Sequence, residues 1–305
     1  MIAKKGALAG LIKGEILYAV PMAGHTSFRV GGPVDFLAFP ADLDDLRTLL
    51  CWCQDGRVPY FILGKGTNLL VRDGGIRGMA INLSRGLTRL QVVAEDAGGA
   101  AVIAEAGESL SRFVDFSWRN NLCGLEFAAG IPGSVGGGIF MNAGAFRREM
   151  KDVLASISLM DSRGQISERK IEDTACTYRS MGLKKGEVIL GGKFVLQRGK
   201  GEETRARVEE ILRARFAKQP YDLPSAGSVF KNPLHAPAGK LIEETGLKGT
   251  RVGDARVSEK HANFIVNTGN ATARDILDLA ARVRERVQQE KGVLLEMEIQ
   301  VVGEN

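Results

Sequence analysis

The sequence has no run of about 18 uncharged apolar residues, the length that a membrane-spanning helix needs. The apolar part of its first thirteen residues is short and interrupted by glycine, which is not the pattern of a signal peptide. Cysteine is scarce, and no two of Cys51, Cys53, Cys123 and Cys176 form a C-x-x-C pair. Such spacing is typical of free thiols in a reducing compartment, not of a disulfide framework. We therefore expect a cytoplasmic protein with no membrane insertion and no metal site.

The chain also carries only a small excess of positive charge. The 41 basic residues outnumber the 36 acidic residues only slightly, which gives a net charge of +5. Lysine and arginine are scattered among acids, and no basic run has the length of a nucleic-acid-binding arm. The small positive excess suits anionic small molecules such as phosphates or carboxylates. The sequence therefore predicts no nucleic-acid partner.

Proline is scarce, with 9 residues, whereas glycine is abundant, with 38. Glycine in excess without proline is typical of tight turns and of backbone packed against a ligand. Alternating apolar positions predict a mixture of helices and strands with hairpins, among them 90–94 with 100–106 and 153–160 with 165–171. The nucleotide-binding patterns G-x-G-x-x-G, at a first strand–helix turn, and G-x-x-x-x-G-K-[ST] are both absent. The sequence therefore does not support a Rossmann or P-loop fold.

A charged amphipathic helix is predicted over residues 202–218. Its apolar stripe consists of Val208, Ile211, Leu212 and Phe216, which we expect to face inward. Pro220 and Pro224 follow the helix, and we interpret them as a hinge region.

The C-terminal region predicts a helix and then a strand. The helix covers residues 272–290, and Thr272 and Asp275 have the spacing of a capping box, with Asp in place of the usual Glu or Gln. Residues 296–302 alternate between polar and apolar, which predicts a final strand. Glu296 and Glu298 share one face of that strand. A face with two carboxylates is usually solvated, so a functional role for them stays open at this point.

The first candidate site is the segment L-G-K-G-T-N-L-L-V at residues 63–71. Gly64 and Gly66 allow unusual backbone angles and the close approach of a ligand. Thr67 and Asn68 add short hydrogen-bonding groups. A strand that runs into such a loop presents several N–H groups in one direction, which suits a pyrophosphate. The alternative is an ordinary surface turn.

The second candidate site is the segment G-I-P-G-S-V-G-G-G-I-F-M-N-A-G-A at residues 130–145. It carries no charge and is too apolar for a solvent loop. It also has too many glycines for a helix of the core, because each costs about 1 kcal/mol relative to alanine. Backbone packed on a large, flat ligand with phosphates, such as a flavin dinucleotide, would explain both properties. The alternative is close packing of backbone on backbone.

Three further segments carry polar groups that suit chemistry. In G-S-V-F-K-N-P at residues 227–233, no G-x-S-x-G elbow surrounds Ser228, so a serine hydrolase is poorly supported. A serine can also give its proton to a strongly basic carbanion. In T-Y-R-S at residues 177–180, Arg179 is the residue type that best grips a carboxylate. The third segment is L-E-M-E-I, with Glu298. The alternative for the first segment is a turn with Lys231 exposed, and the alternative for the third is a solvated face.

These segments, in this order, resemble the UDP-N-acetylenolpyruvoylglucosamine reductase (MurB) family. Four other stretches extend the resemblance over residues 20–303, nearly the whole chain. They are H-T-S-F-R-V-G-G-P at 25–33, V-R-D-G-G-I-R-G at 71–78, G-K-L-I-E-E-T-G-L-K-G at 239–249 and H-A-N-F-I-V-N at 261–267. Each motif is moderately specific, and the ordered set is highly specific.

The resemblance implies an α+β fold. A vanillyl-alcohol-oxidase-type FAD-binding module would have two subdomains, at residues 1–85 and 86–200. A C-terminal α+β domain at residues 201–305 would bind the UDP-sugar. FAD would be bound noncovalently and reduced by NADPH. The enzyme would then reduce UDP-N-acetyl-3-O-(1-carboxyvinyl)-glucosamine to UDP-N-acetylmuramate for peptidoglycan synthesis, acting in the cytoplasm as a monomer.

The resemblance also implies residue roles. Ser228 matches the proton donor, and Arg179 and Glu298 match the other catalytic residues. The implied substrate-binding residues are Tyr178, Arg179, Lys231 and Asn232. The implied cofactor-binding residues are Gly64, Lys65, Gly66, Thr67, Asn68, Leu69, Gly130, Ile131, Pro132, Gly133, Ser134, Gly136, Gly137, Asn142, Ala143 and Gly144.

The chain departs from the family pattern at a few points. The short interval between Arg179 and Ser228 matches the shorter form of the family, which lacks an inserted segment with a tyrosine that closes over substrate. Gly138 and Phe146 stand where alanine and tyrosine are expected. Two other functions stay open from the sequence. One is an FAD-dependent oxidase of the same fold that acts on an alcohol or 2-hydroxy acid, and the other is a non-catalytic nucleotide-sugar-binding module.

Overall fold

The computed structural model describes residues 10–305. The first nine residues lie outside this description, and with them the start of the first predicted subdomain and most of the segment interpreted as lacking a signal peptide. The described chain forms two compact units. The first comprises residues 10–18, 36–65 and 78–213, and the second comprises residues 19–35, 66–77 and 214–305. The division into three parts, with boundaries after residues 85 and 200, stays a prediction.

Helices and strands alternate along the chain. The α-helices are α1 (Leu43–Asp55), α2 (Leu110–Arg119), α3 (Val135–Phe140), α4 (Gly201–Lys218), α5 (Ala238–Glu244) and α6 (Ala273–Lys291). The first strands are β1 (Glu15–Pro21), β2 (Pro33–Phe39), β3 (Tyr60–Leu63), β4 (Leu69–Val71), β5 (Ile76–Asn82), β6 (Leu90–Glu95), β7 (Gly99–Glu105) and β8 (Leu122–Cys123). The later strands are β9 (Gly144–Ala145), β10 (Arg148–Glu149), β11 (Leu154–Met160), β12 (Ile166–Lys170), β13 (Val188–Arg198), β14 (Arg251–Val252), β15 (Ala255–Val257), β16 (Ile265–Asn267) and β17 (Gln300–Val302).

The largest sheet belongs to the first unit. Its strand order is β12–β11–β13–β7–β6, with β8 beside β13, and every neighbouring pair is antiparallel. The pairs β6–β7 and β11–β12 confirm the two predicted hairpins. Helix α2 begins after Ser109, whose side chain accepts a hydrogen bond from the Arg112 N–H. It buries Phe113 edge-on against Phe194 of β13, with ring centroids 4.8 Å apart. This contact anchors the helix that precedes the second glycine segment.

A four-stranded sheet with the order β1–β2–β5–β3 leads to the first glycine segment. Strands β3 and β5 are parallel, with Leu63 opposite Asn82. Helix α1 connects β2 to β3 and begins at Asp42, whose carboxylate accepts a hydrogen bond from the Asp45 N–H. Because β3 ends at Leu63, the loop of the first candidate site starts at Gly64, at the carboxyl end of a parallel strand.

The second unit is built around helix α6. Thr272 and Asp275 form the predicted capping box, with both reciprocal hydrogen bonds present. Gly292 ends the helix in the left-handed conformation, with a φ of +67°. The apolar stripe that includes Ile276 and Val283 is buried. Strands β14, β15 and β16 form an antiparallel sheet, and β17 pairs with β4 in parallel. The segments that contain Ser228 and Glu298 belong to the same unit.

Three expectations from the sequence were wrong in detail. Phe216 does not face inward but is 54% exposed, and its ring lies 4.6 Å from that of Tyr221. The last regular strand is shorter than predicted, Gln300–Val302, and only an isolated bridge joins Met297 to Phe230. The glycine-rich residues 135–140 do form a helix, because neighbouring side chains and carbonyl groups fix its first turn.

Candidate active site

The loop after β3 has a conformation that other parts of the protein fix. In the first unit, the side-chain amide of Asn82 donates a hydrogen bond to the Gly64 carbonyl at 3.2 Å. In the second unit, Gly66 has a φ of +63°, and a Cβ at this position would lie 2.1 Å from the carbonyl oxygen of His25. The Gly66 carbonyl accepts a hydrogen bond from the Ser27 N–H at 3.1 Å. The backbone conformation and the nearby His25 carbonyl therefore require glycine at residue 66, whether or not a ligand binds there.

The second glycine segment is fixed in the same manner. Ser134 caps α3, because its side-chain oxygen accepts a hydrogen bond from the Gly137 N–H at 3.2 Å. The Gly136 N–H donates to the Ala106 carbonyl at 2.9 Å. A Cβ at Gly136 would lie 2.8 Å from the Ala106 Cβ, so this glycine allows close packing. For Gly136, the structure thus supports the alternative that the sequence left open, which is close packing within the protein and not contact with a ligand.

The two predicted cofactor-binding segments meet within the first unit. A Cβ at Gly64 would lie 2.8 Å from the Ser134 side-chain oxygen, so the loops approach each other as closely as glycine allows. Residues 130–145 carry no charge, and their exposed members include Pro132, Gly137 and Phe140. A narrow junction of small residues beside an exposed apolar surface suits a flat ring system with a polar tail. The residues present therefore fit a flavin dinucleotide.

Arg179 lies beside the end of the second glycine segment. It occupies a tight turn in which Thr177 and Ser180 exchange two backbone hydrogen bonds. Its guanidinium donates to the Gly144 carbonyl at 3.3 Å and lies 4.7 Å from the centre of the Tyr178 ring. The backbone φ of Arg179 is +59°, a left-handed conformation that residues other than glycine rarely adopt. Within the first unit, Arg179 thus contacts Gly144, a predicted cofactor-binding residue, and Tyr178 lies beside Arg179.

Asn142 connects these two segments from the inside. It is fully buried, and its side-chain amide donates to the Glu149 carboxylate at 2.8 Å and to the Thr177 carbonyl at 3.2 Å. Its side-chain oxygen accepts from the Lys151 N–H at 3.1 Å. The Asn142 side chain therefore orients the turn that carries Arg179. Direct contact of Asn142 with a cofactor stays a prediction.

In the second unit, Glu298 lies between two other predicted site segments. Its N–H donates to the carbonyl of Val229, the neighbour of Ser228, at 2.8 Å. Its carbonyl accepts a hydrogen bond from the Asn68 side-chain amide at 3.1 Å. The Asn68 carbonyl in turn accepts from the Gln300 N–H at 2.9 Å, which continues into the parallel pair β4–β17. The structure therefore brings the end of the first loop, the Glu298 backbone and the Ser228 segment together.

Lys231 and Asn232 follow Ser228 and also have internal partners. The Lys231 ammonium lies 2.5 Å from the Glu296 carboxylate, and its N–H donates to the Glu296 carbonyl at 2.8 Å. The Asn232 side-chain oxygen accepts a hydrogen bond from the Ala238 N–H at the start of α5. These contacts fix both predicted substrate-binding residues within the segment that contains Ser228.

Asn263 is a residue that the sequence did not single out. It is 3% exposed and makes three hydrogen bonds to Val229 and Phe230, next to Ser228. Its own N–H donates to Nδ1 of His261 at 3.2 Å. Burial lowers the pKa of the His261 imidazole below its ordinary value, and the charge of Lys248 lowers it further. The motif H-A-N-F-I-V-N marked this position without revealing its partners.

Residues 10–305 contain neither a candidate membrane span nor a candidate metal site. No helix among residues 10–305 is both long and apolar enough to cross a membrane. Within the same residues, no three His, Cys, Asp or Glu side chains are grouped as a metal ion would require.

Family models define the class of protein. A model of the FAD-binding domain matches residues 34–169, and a model of the UDP-N-acetylenolpyruvoylglucosamine reductase C-terminal domain matches residues 219–302. The chain is thus an FAD-binding flavoprotein with a second, C-terminal domain. A UDP-N-acetylenolpyruvoylglucosamine reductase from Syntrophus aciditrophicus is 44% identical over 99% of this chain and 96% of its own length. One from Caldanaerobacter subterraneus is 45% identical over 96% of both chains.

A solved structure gives the same result. The crystal structure of UDP-N-acetylenolpyruvylglucosamine reductase (MurB) from Thermus caldophilus matches with a TM-score of 0.79 and 36% identity, over 95% of this chain and 99% of the other. This chain belongs to the UDP-N-acetylenolpyruvoylglucosamine reductase family, a family of oxidoreductases. The resemblance identified from the motifs and the fold class that it implied, an FAD-binding module with a C-terminal α+β domain, are therefore confirmed.

Proposed function

We propose that the protein is an NADPH-dependent flavoenzyme of the cytoplasm that reduces UDP-N-acetyl-3-O-(1-carboxyvinyl)-glucosamine to UDP-N-acetylmuramate, a step of peptidoglycan synthesis. The observation that carries the proposal is the junction at Glu298. There, the end of a predicted FAD loop and the segment of a candidate proton donor are both hydrogen-bonded to one residue's backbone. The relatives' names give the substrate class, since they are reductases of a UDP-enolpyruvoylglucosamine.

The chemistry explains why these residue types are needed. The enolpyruvyl group is an alkene conjugated to a carboxylate, so the addition of hydride to its terminal carbon puts further negative charge on an anionic group. Bound FAD would supply this hydride after it is reduced by NADPH. The protein has to stabilise the charge that develops on the carboxylate side in the transition state.

Arg179 is the residue that we assign to this charge. Its guanidinium can form a charge-assisted, bidentate contact with the substrate carboxylate. The tight turn at Thr177–Ser180 and the hydrogen bond to the Gly144 carbonyl orient the side chain before any substrate binds. Because little reorganisation is then needed, the contact can act fully as the charge develops.

Ser228 and Glu298 complete the proposed reaction. The hydroxyl of Ser228 gives its proton to the carbon that bears the carboxylate, and solvent returns a proton to the serine oxygen. Serine is a weak acid, but the carbanion is strongly basic. Glu298 would repel the developing enediolate if it were ionised, so we assign it a protonated state at that moment or the role of orienting a donor. Tyr178, Lys231 and Asn232 would bind the substrate.

The test follows the visible spectrum of the protein in two anaerobic steps. NADPH should bleach the flavin, and the enolpyruvyl substrate should restore its colour. Colour that returns only with oxygen would favour the oxidase alternative. Ligand binding without flavin turnover would favour a non-catalytic nucleotide-sugar-binding module. Absence of flavin after FAD is added would refute the cofactor assignment.

A serine variant tests the proton donor. Ser228→Ala should bind FAD and be reduced by NADPH as the wild type is, but reoxidation by substrate should slow by about 10²–10⁴-fold, the range of general acid catalysis. Ser225→Ala, which changes a serine three residues earlier, is the matched control and should retain normal turnover. Normal turnover of Ser228→Ala would refute this role.

A further inference from the structure

The Ser228 segment is held along both of its edges, as a central strand would be. On one edge it pairs with the segment of Glu298. The Lys231 N–H donates to the Glu296 carbonyl, and the Glu298 N–H donates to the Val229 carbonyl, each at 2.8 Å. An isolated bridge joins Phe230 and Met297 between them. Among residues 10–305, no strand lies along the other edge, and a different group fills that place.

This group is Asn263. Its main-chain carbonyl accepts a hydrogen bond from the Val229 N–H at 2.8 Å. Its side-chain oxygen accepts from the Phe230 N–H at 3.0 Å, and its side-chain amide donates to the Phe230 carbonyl at 2.8 Å. The carboxamide therefore substitutes for the peptide group of a missing strand. Since Asn263 is buried, the loss of either bond would leave a backbone group of Phe230 without compensation from water.

Asn263 is itself fixed by His261. The Asn263 N–H donates to the imidazole Nδ1, which can accept only when it carries no proton. The imidazole packs edge-on against Phe264, with ring centroids 4.8 Å apart. Burial favours the neutral form of His261 by lowering its pKa. The chain of contacts thus runs from a neutral imidazole through Asn263 to the residues that follow Ser228.

We propose that Asn263 is a positioning residue. It fixes the position of the Ser228 hydroxyl and thereby determines which face of the substrate carbon receives the proton. The inference rests on the proposed role of Ser228 as the proton donor. A displacement of about 1 Å in a reacting group can cost roughly 10²-fold in rate. A proton from a fixed hydroxyl reaches one face of the carbon, whereas solvent water can reach either face when the hydroxyl is displaced.

The substitution Asn263→Asp tests the proposal, because the aspartate side chain has almost the same shape as the asparagine side chain. The variant keeps an acceptor for the Phe230 N–H but loses the donor to the Phe230 carbonyl. The matched control is Asn267→Asp. Asn267 is 4% exposed, and its side chain also makes three hydrogen bonds, to the Phe28 carbonyl and to the N–H groups of Gly269 and Ala271. It does not contact the Ser228 segment through these bonds.

Three quantities are measured on the flavin-loaded variants: the rate of flavin reduction by NADPH, the rate of reoxidation by the enolpyruvyl substrate, and the configuration of the lactyl carbon formed in ²H₂O. Asn263→Asp should be reduced within about threefold of the wild-type rate, because that step does not use Ser228. Its reoxidation should slow by about 10²-fold, and its product should contain both configurations. Asn267→Asp should lower the melting temperature similarly but give one configuration.

The outcomes separate the two proposals. If Asn263→Asp reoxidises at the wild-type rate with one configuration while Ser228→Ala is inactive, the positioning role is wrong and the proton donor stands. If Ser228→Ala is fully active, the proposed proton donor itself is wrong. Equal loss of stereochemical control in Asn267→Asp would also overturn the inference, because general loosening would then explain it. Asn263→Ala, which adds no buried charge, replaces the aspartate variant if that variant does not fold, with the same expected result.

Discussion

The substitution Gly66→Ala tests how strictly the first loop is fixed. Gly66 has a φ of +63°, and an added Cβ would lie 2.1 Å from the His25 carbonyl oxygen and 3.0 Å from the Thr26 Cα. Both obstacles are backbone atoms, so a change of side-chain rotamer cannot remove them. We expect the loop to shift, which would lower both the stability of the protein and its affinity for FAD.

The magnitude has two parts. A left-handed conformation costs a residue other than glycine about 1–2 kcal/mol. Overpacking against a rigid neighbour adds about 1–3 kcal/mol. The free energy of unfolding should therefore fall by about 2–5 kcal/mol in Gly66→Ala. Gly246→Ala isolates the first part, because Gly246 has a φ of +69° and an added Cβ there meets no atom within 4 Å.

The assay is urea denaturation of the FAD-free protein, with FAD binding followed separately by fluorescence. Gly66→Ala should lose at least about 1 kcal/mol more than Gly246→Ala and should bind FAD more weakly. Gly246→Ala should bind FAD as the wild type does. Equal stability losses in the two variants would refute the reasoning, because the contact with His25 would then impose no cost.

Two further predictions concern backbone strain and pH. Arg179→Gly should raise the free energy of unfolding by about 1 kcal/mol, because it relieves a left-handed φ, while turnover falls about 10²–10³-fold; Arg57→Gly, at an exposed turn with a φ of +49°, should gain stability without loss of turnover. Because burial lowers the folded-state pKa of His261, the folded protein binds fewer protons than the unfolded chain, so stability should fall as the pH drops below about 6.5, the ordinary pKa of histidine. Denaturation measured from pH 5 to 8 should show a shallower decline for His261→Gln than for the wild type, and an equal decline would contradict this reasoning.

Much of the fold could be predicted from local sequence patterns. The hairpins β6–β7 and β11–β12 and the capped helices α1, α2 and α6 are marked by signals within a few residues of their ends. Phe216 shows where such patterns fail. It falls on the apolar stripe of α4, but Val208 and Ile211 are buried whereas Phe216, nearer the end of the helix, is exposed. Periodicity defines a face but not how far along the helix a partner extends.

The candidate site could be proposed from the sequence as a set of motifs, but its geometry could not. Asn68 and Glu298 are 230 residues apart, and only the parallel pairing of β4 with β17 brings them together. Pairing of this kind depends on contacts that no local pattern encodes. The same applies to Asn263, whose side chain takes the place of a strand beside Phe230. An asparagine within the apolar segment A-N-F-I-V is a signal that could have drawn attention to it, because a buried polar side chain needs hydrogen-bond partners.

Backbone strain gives an independent argument for the location of the site. Among residues 10–305, eight residues other than glycine have a positive φ, and four of them lie in the region of Arg179: Asn142, Phe146, Arg147 and Arg179 itself. Such conformations cost about 1–3 kcal/mol each and persist only where the surroundings enforce them. The Asn142 side chain, bonded to Thr177, and the Gly144 carbonyl, bonded to Arg179, are the enforcing contacts. The folding of this unit has therefore already ordered Arg179, so in the role that we propose for it the guanidinium would stabilise charge without first losing conformational freedom.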